Sequence, residues 1–321
     1  MAQLGKIGAN GAARLGATLA LALGAAACAS LNGPPGSLPP APGPGEAPAP
    51  LHVDCRGAPG PAPTVILEAG AFGTSADWTL VLKDLAPGGR VCAYDRAGVG
   101  LSAPRPGGVG VLDRARELAG LLDQIGETRP VIVVGHSNGA LYAEAFARLY
   151  PERTAGLVYV NGVGSDDLGH RRLMASLAEE RRLSDLAVSV ARLGLAPLVA
   201  ATLTDGQGFE RAAEARKRAG LECLPCLVVA RDEDRAIVAG LSEVRALPPV
   251  PPSVPVVVIA GDTDPDLPLP RAWMAAEVAP AARAQTSWIL DAPDFTHVSP
   301  LARDRAYVDA AVAWLRRPYG G

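Results

Sequence analysis

A serine stands between two glycines at the end of a run of aliphatic residues. The stretch VIVVGHSNGA covers residues 131–140 and places Ser137 between Gly135 and Gly139. Glycines permit a turn too tight for side chains, which would hold the serine hydroxyl at the carboxyl edge of a sheet, just before a helix. There the amide N–H of Asn138 and the positive helix end would favour a developing negative charge. The pattern predicts a nucleophile; a plain strand-to-helix turn is the alternative.

A serine hydroxyl is a poor nucleophile and needs a base to take its proton. The chain has only four histidines. His297 lies in WILDAPDFTHVSP, a loop after the last predicted strand at 287–290, and we predict that it is the base. His136 adjoins the serine and should point away from it, while His52 begins the folded region and His170 falls in a predicted lid. A surface-loop histidine without a role is the alternative.

The base in turn needs an acceptor that fixes its tautomer and stabilises the imidazolium. The run VVVIAGDTDPDLP offers Asp262, Asp264 and Asp266 just past a predicted buried strand. We predict that Asp264 has this role, because an aspartate in the position of Asp262 more often caps the turn through its own backbone. The resulting chain order, Ser then Asp then His, is the order expected for this serine turn on an α/β sheet.

A second donor for the oxyanion should come from the loop after an earlier strand. The segment LEAGAFGTSADW covers 67–78, and Gly70 would let the backbone approach the serine closely. The amide N–H of Ala71 would then act beside that of Asn138. Loss of one such donor typically lowers turnover about 10²- to 10³-fold.

Short aliphatic runs alternate with amphipathic segments from residue 51 onward. Strands apolar on both faces are predicted at 64–70, 90–96, 130–137, 156–162 and 254–262. A helical stripe of Leu, Ala and Ile covers 112–126, and another helix leaves the serine turn and stops at Pro151. This alternation predicts an α/β protein with a doubly wound, mostly parallel sheet.

Residues 163–250 break this alternation, with helical patterns rich in Arg and Glu and no convincing strand. We interpret them as a helical cap, or lid, inserted before the penultimate strand. A separate small helical domain is the alternative. The strand pattern resumes at residue 254, which favours the cap.

Five features together resemble the α/β-hydrolase superfamily of serine hydrolases. They are LEAGAFG, CAYDRAGVGLS at 92–102, GHSNG, GDTD and the late His297. The resemblance covers residues 51–318 and is to the branch with Glu-Ala-Gly in the oxyanion loop. It implies a core at 51–162 and 251–321, a cap at 163–250, and no cofactor or metal. It also implies an esterase, lipase or peptidase-like hydrolase that acts on a small acyl substrate.

Three positions depart from the pattern of that superfamily. Asn161 ends the strand VYVNG where relatives commonly have Asp, which removes an alternative acid. Thr296 precedes the histidine where Gly is usual, and Asn138 is polar where an apolar residue is frequent. We therefore expect differences in the histidine loop and in the acyl pocket.

The predicted reaction is carboxylic ester hydrolysis, with Ser137, His297 and Asp264 as the catalytic residues. Cleavage of short amino-terminal peptide substrates is the enzymatic alternative, and a catalytically silent surface binding protein is the non-enzymatic one. The intact set of Ser, Asp and His argues against the silent protein. A dehalogenase is disfavoured, because that chemistry needs a carboxylate in the place of Ser137.

Other ligand classes find little support in the sequence. A net charge of −3 gives no long-range attraction to nucleic acid or to an anionic membrane. Gly98 and Gly100 follow a predicted strand, but the third glycine of a dinucleotide site is missing. We expect Arg96 and Ser102 to brace the loop beside the catalytic one. The sequence gives no indication of oligomeric state.

Four cysteines of the folded region suggest two disulfides. The resemblance places the strand around HVDCRG (52–57) beside RVCAYDR, so Cys55 and Cys92 can pair in an exported domain. Cys223 and Cys226 form a Cys-x-x-Cys, which could be a redox pair, half of a metal site or a short cap disulfide. No second Cys or His pair accompanies it, so we expect the disulfide.

The first thirty residues predict a targeting segment outside the fold. Lys6 and Arg14 lead to LGATLALALGAAA, thirteen uncharged residues that are too few to span a bilayer but suit a secretory signal. Small residues before Cys28 resemble a bacterial lipoprotein signal, in which this cysteine is lipidated, although Ala25 stands where leucine is usual. Ordinary cleavage at a nearby Ala-x-Ala and an uncleaved anchor are the alternatives.

Residues 31–50 consist largely of Pro, Gly and Ala and predict an extended tether. A tether behind a lipid anchor would hold a domain off a membrane. We therefore expect an exported protein, periplasmic or anchored to a membrane through Cys28, or alternatively secreted.

Overall fold

The computed structural model describes residues 49–167, 171–204, 207–261, 279–292 and 296–319. Cys28, His170 and Asp264 lie outside these ranges, as do the predicted signal segment (1–30) and most of the predicted tether. The acid role of Asp264 and the lipidation of Cys28 therefore stay predictions.

One seven-stranded sheet forms the centre of the described part of the chain. Its strands are β1 (Val53–Arg56), β2 (Val65–Glu68), β3 (Val91–Tyr94), β4 (Val131–His136), β5 (Thr154–Val160), β6 (Val256–Ala260) and β7 (Ser287–Asp291). The order across the sheet is β1-β3-β2-β4-β5-β6-β7. Only β1 runs antiparallel to its neighbour, β3. The predicted mostly parallel α/β sheet is confirmed.

Helices connect the strands and cover both faces of the sheet. They are α1 (Thr79–Leu85), α2 (Val111–Gln124), α3 (Asn138–Leu149), α4 (Arg171–Val190), α5 (Ala196–Thr204), α6 (Arg211–Glu222), α7 (Leu224–Ala246), α8 (Ala279–Arg283) and α9 (Ala306–Arg316). The helical stripe predicted at 112–126 coincides with α2, where Leu118 and Leu122 are fully buried.

Strand side chains alternate between two hydrophobic clusters, because successive residues of a strand point to opposite faces. Ile66 and Val133 pack with residues of α2 and α3 in one cluster. Leu67 and Val134 pack with residues of α1 and α9 in the other. Burial of both faces explains why these strands consist of continuous aliphatic runs.

Helices α4 to α7, which we call the cap, follow β5 and precede β6. The cap is joined to the core mainly by α7, which packs against α2 and α3. A separate hydrophobic cluster of the cap, which includes Val188, Ala200 and Leu227, packs against Phe72 of the core. The sequence predicts several helices in this region but does not specify α7, which is 23 residues long.

Both cysteine pairs noted in the sequence form disulfides. Cys55 lies directly opposite Cys92 across the antiparallel pair β1–β3, so this bond joins the edge strand to its neighbour. The Cys223–Cys226 bond spans the start of α7. Disulfides are typical of proteins that fold in an oxidising compartment.

Candidate active site

Ser137 lies in the turn from β4 to α3, residues 135–139, which we call the elbow. Its φ is 54° and its ψ is −126°, a conformation that is rare for a residue with a side chain. A Cβ atom at Gly135 would lie 2.5 Å from backbone atoms of Gly139 and Ala140, and one at Gly139 would lie 2.5 Å from the carbonyl oxygen of Glu68. Both glycines are therefore required for this turn.

His297 reaches the elbow from a loop 160 residues further along the chain. Its Nε2 lies 3.0 Å from Ser137 Oγ, which is a suitable distance for proton transfer. The loop is held by Ser299, whose Oγ accepts a hydrogen bond from the amide of Thr296 at 2.9 Å. The structure thus brings together two of the three residues predicted to form a catalytic set.

The other ring nitrogen of His297 contacts an amide side chain. Asn161 Nδ2 and His297 Nδ1 are 3.1 Å apart, and Asn161 follows β5 with a φ of 43°. The oxygen and nitrogen of an amide can exchange places, so Asn161 can accept from Nδ1–H through its oxygen. This leaves Nε2 free to act as a base, and Asn161 supplies no charge. From the sequence alone, Asn161 is considered only as a replacement for the Asp that relatives commonly have. Its position at the carboxyl end of the strand next to β4 could have indicated that it lies near the elbow.

His136 also holds the histidine loop. Its Nε2 lies 2.6 Å from the carbonyl oxygen of His297, although sequence reasoning assigned it no role beyond pointing away from the serine. Burial, together with the neighbouring charge of His297, lowers the pKa of His136 to about 3. The ring is therefore neutral at neutral pH, and its single N–H can donate from Nε2 to that carbonyl.

The pKa of His297 is also lowered. Burial of the ring lowers its pKa to about 4, although the residue as a whole is exposed at the edge of the site. The ring is therefore neutral at pH 7, as a general base must be.

Residues 69–73, which we call the oxyanion loop, lie against the elbow. A Cβ atom at Gly70 would come within 2.9 Å of the Cβ atom of Ser137, so the close approach depends on glycine. Ala71 follows Gly70 directly. Asn138 is the first residue of α3, and its amide N–H has no partner inside the helix. The predicted pair of oxyanion donors therefore belongs to two segments that meet at the serine.

This arrangement has the parts that acyl transfer needs. A neutral base is in contact with a serine hydroxyl, and the oxyanion loop lies against the same serine at the carboxyl edge of the sheet. The fold and the site together define a protein of the α/β-hydrolase class with a serine on its strand-to-helix turn.

Comparison with protein families gives the same class. The profile of the Alpha/beta hydrolase family matches residues 65–310. This match covers more than half of the chain, and the chain therefore belongs to the α/β-hydrolase family, as the resemblance predicts. Its assignment to the Glu-Ala-Gly branch stays a prediction.

Curated relatives resemble only part of the chain. An "AB hydrolase superfamily protein" of Gibberella zeae is 33% identical over 147 residues, which are 42% of this chain and 44% of the relative. RutD of Caulobacter segnis, provisionally named as a carbamate hydrolase, is 36% identical over 105 residues, 32% of this chain and 39% of the relative. The chain thus spans less than half the length of these curated relatives.

Solved structures resemble a larger part of the chain. A thermophilic esterase from Thermogutta terrifontis superposes with a TM-score of 0.57 at 24% identity. The superposition covers 83% of this chain and 93% of the esterase. At this identity the likeness shows the shared fold alone.

Proposed function

We propose that this protein hydrolyses carboxylic esters through an acyl-enzyme formed on Ser137. The observation that carries this proposal is the 3.0 Å contact between Ser137 Oγ and His297 Nε2. Oγ attacks the substrate carbonyl while its proton passes to Nε2, and the ring then gives this proton to the leaving alkoxide. The same ring then takes a proton from a water molecule that attacks the acyl-enzyme, and it returns this proton to Ser137 Oγ as the acid is released.

The remaining residues of the proposed mechanism orient the base or stabilise charge. The amides of Ala71 and Asn138 would bind the oxyanion of the tetrahedral intermediate. Asp264 is proposed to stabilise the imidazolium, and Asn161 to hold the same ring from the end of β5. The contact of 3.1 Å between Asn161 and His297 supports the second assignment.

A fluorophosphonate probe tests whether Ser137 is the nucleophile. The native protein should be labelled covalently, and Ser137→Ala should not be labelled. Ser189→Ala is a suitable control, because Ser189 is an exposed residue of α4 whose hydroxyl donates within its own helix. Absence of labelling in the folded native protein would contradict the proposal and favour the silent binding protein.

A substrate panel tests the class of acyl compound. It contains p-nitrophenyl esters of rising acyl length, a p-nitrophenyl carbamate and aminoacyl-arylamides. We expect the largest kcat/KM for an ester. A larger value for an arylamide would favour the peptidase alternative, and a larger value for the carbamate would favour the reaction named for RutD.

We further propose that the protein is exported and that Cys28 anchors it to a membrane. The disulfide between Cys55 and Cys92 supports export, because such bonds persist in oxidising compartments. In a bacterial host, native protein should partition into the detergent phase, whereas Cys28→Ser should stay in the aqueous phase. Equal partitioning of the two proteins into the aqueous phase would contradict the anchor.

A further inference from the structure

Arg96, just after β3, joins the oxyanion loop to the cap, and all five of its N–H donors are used. Nε and Nη2 donate to the two carboxylate oxygens of Glu233, each at 2.9 Å. Nη1 donates to Glu68 Oε1 at 2.8 Å and to the carbonyl oxygen of Ala69 at 2.7 Å. Nη2 also donates to the carbonyl oxygen of Gly70 at 3.0 Å. One side chain thus holds two consecutive carbonyls of the loop.

Glu233 lies on α7, so this carboxylate belongs to the cap, while the loop belongs to the core. Glu233 and Arg96 are 1% and 2% exposed, and Arg114 adds a second contact to Glu233 at 2.8 Å. Burial alone would raise the pKa of Glu233, but Arg96 and Arg114 outweigh it and lower the pKa below the ordinary value. The carboxylate is therefore ionised and is in contact with two guanidinium groups.

The Gly70 carbonyl connects this ion pair to the nucleophile. It accepts one hydrogen bond from Arg96 and another from the amide of Gly73 at 3.2 Å, which closes the turn of the oxyanion loop. The same residue lies against Ser137, as the 2.9 Å approach of a Cβ atom built on Gly70 shows. A peptide group is planar, so the orientation of the Gly70 carbonyl also fixes that of the Ala71 amide N–H.

Glu68 cannot replace Glu233 in holding Arg96. Its Oε1 already accepts from Arg96, and its Oε2 accepts from the hydroxyl of Tyr94. Without the Glu233 carboxylate, Nε and one N–H of Nη2 would be buried and unpaired, which costs free energy that a movement of the guanidinium could recover. Such a movement would break the contacts to the loop carbonyls.

We propose that Glu233 is a positioning residue for the oxyanion loop. Acting through Arg96, it fixes the Gly70–Ala71 peptide so that the amide N–H points at the oxyanion. The proposal rests on the serine hydrolase mechanism proposed above, and it assigns a residue of the cap a part in catalysis. Glu233 itself touches neither the substrate nor the reacting atoms.

Glu233→Gln is the principal test, because it keeps the size of the side chain and removes its charge. An amide group presents a donor to Arg96 where the carboxylate presented an acceptor. We expect kcat for p-nitrophenyl butyrate to fall about 10- to 100-fold, because displacing one oxyanion donor is costly. KM should change by less than about threefold, since the loss concerns an interaction made only in the transition state.

Phenylboronic acid supplies a readout that lost stability alone would not move. It adds to the serine hydroxyl as a tetrahedral anion, so its inhibition constant reports on the oxyanion donors. We expect this constant to rise by a factor similar to the fall in kcat/KM. Unfolding temperatures measured alongside would separate this effect from a loss of stability.

Glu144→Gln is the matched control. Glu144 is also buried, at 3% exposure, and accepts from Arg148 Nε at 2.9 Å and from the Ser165 amide at 2.8 Å. The control removes an equally buried carboxylate charge that has no contact with the oxyanion loop. Its unfolding temperature should fall, while kcat and the boronate inhibition constant should stay as in the native protein.

Glu233→Asp tests the positioning role if Glu233→Gln does not fold, because the aspartate keeps the negative charge that pairs with Arg96. Its shorter side chain should draw Arg96 away from the loop and lower kcat, with smaller loss of stability. Unchanged kcat and boronate inhibition in the folded Glu233 variants would overturn the positioning role and leave Glu233 as a structural ion pair. A native protein that neither turns over the ester nor binds the boronate would overturn the serine hydrolase mechanism itself.

Discussion

The elbow and the histidine loop bring Ser137 and His297, the proposed reacting groups, to one point by different means. The elbow is local, because Gly135 and Gly139 fix the conformation of Ser137 and any Cβ atom there would meet backbone at 2.5 Å. The histidine loop is assembled over long distances in sequence, since His297 is held by the side chains of Asn161 and His136. Ser137 is 7% exposed, whereas His297 is exposed.

This difference determines how each region should respond to change. A turn fixed by backbone sterics either forms or is displaced as a unit. A loop held by separate hydrogen bonds should lose function in steps, according to which contact is removed and how pH affects it. The predictions below test this contrast, beginning with the largest expected effect.

Removal of the His297 imidazole should have the largest effect on kcat. His297→Ala should lower kcat about 10⁴- to 10⁶-fold, as is usual when the base of such a set is lost. Steady-state kinetics with a p-nitrophenyl ester measure this change. His52→Gln, a histidine outside the site, should keep native kcat. A decrease of less than tenfold for His297→Ala would mean that another group takes the proton.

Removal of the groups proposed to hold that ring should have graded effects. Asp264→Asn should lower kcat about 10³- to 10⁴-fold, because it removes the charge that stabilises the imidazolium. Asn161→Ala should lower kcat only about tenfold, because it removes a neutral hydrogen bond of modest energy. The reverse ranking would identify Asn161 as the main partner of His297 Nδ1. The same ester assay gives both values.

A methyl group in the elbow should displace the turn. Gly139→Ala should lower kcat/KM about 100-fold and the free energy of unfolding by about 1–3 kcal/mol, because its Cβ meets the Glu68 carbonyl. Gly120→Ala is the control: its Cβ would have no atom within 4 Å, on the exposed side of α2. The control should stabilise the protein by up to about 1 kcal/mol. Equal activity of the two variants would show that the elbow tolerates a side chain.

The smallest effect near neutral pH comes from the ring of His136. His136 has a pKa of about 3 in the folded protein, against the ordinary 6.5. Between these values the unfolded chain binds a proton that the folded protein excludes, so stability is full above pH 6.5 and falls as pH falls. His136 alone should contribute a slope of about 1.4 kcal/mol per pH unit. His136→Gln keeps a donor but does not titrate, so its urea-derived stability should decline less steeply. Parallel curves for the two proteins would refute this account.

The local features of the site could be predicted from the sequence, and so could the approach of His297 to Ser137, but the contacts that hold the His297 ring and the oxyanion loop could not. The strands and the elbow depend on residue types within a few positions, and β4 with its glycine-flanked serine is the clearest case. Asn161 and His297 are separated by 136 positions in the sequence, and Arg96 and Glu233 by 137 positions. Such contacts depend on how loops and cap helices pack on the sheet, which no local pattern specifies.

Helix α7 illustrates the same limit. It begins at a Cys-Leu-Pro-Cys segment, and its buried residues include Glu233 and Asp234. Charged residues in a helix normally indicate an exposed face, so the sequence gives no sign that this one carries a buried carboxylate. Only the guanidinium groups that face Glu233 in the structure explain why it can be buried.

The Cys55–Cys92 bond has a mechanical consequence. Residue 50 leads almost directly into β1, an edge strand whose one neighbour among the described strands is β3. Tension applied through the N-terminal segment would therefore act first on the strand that is easiest to detach from the sheet. The disulfide transmits that force to β3, which has a neighbouring strand on each side. Strand β1 should therefore stay attached to the sheet under tension.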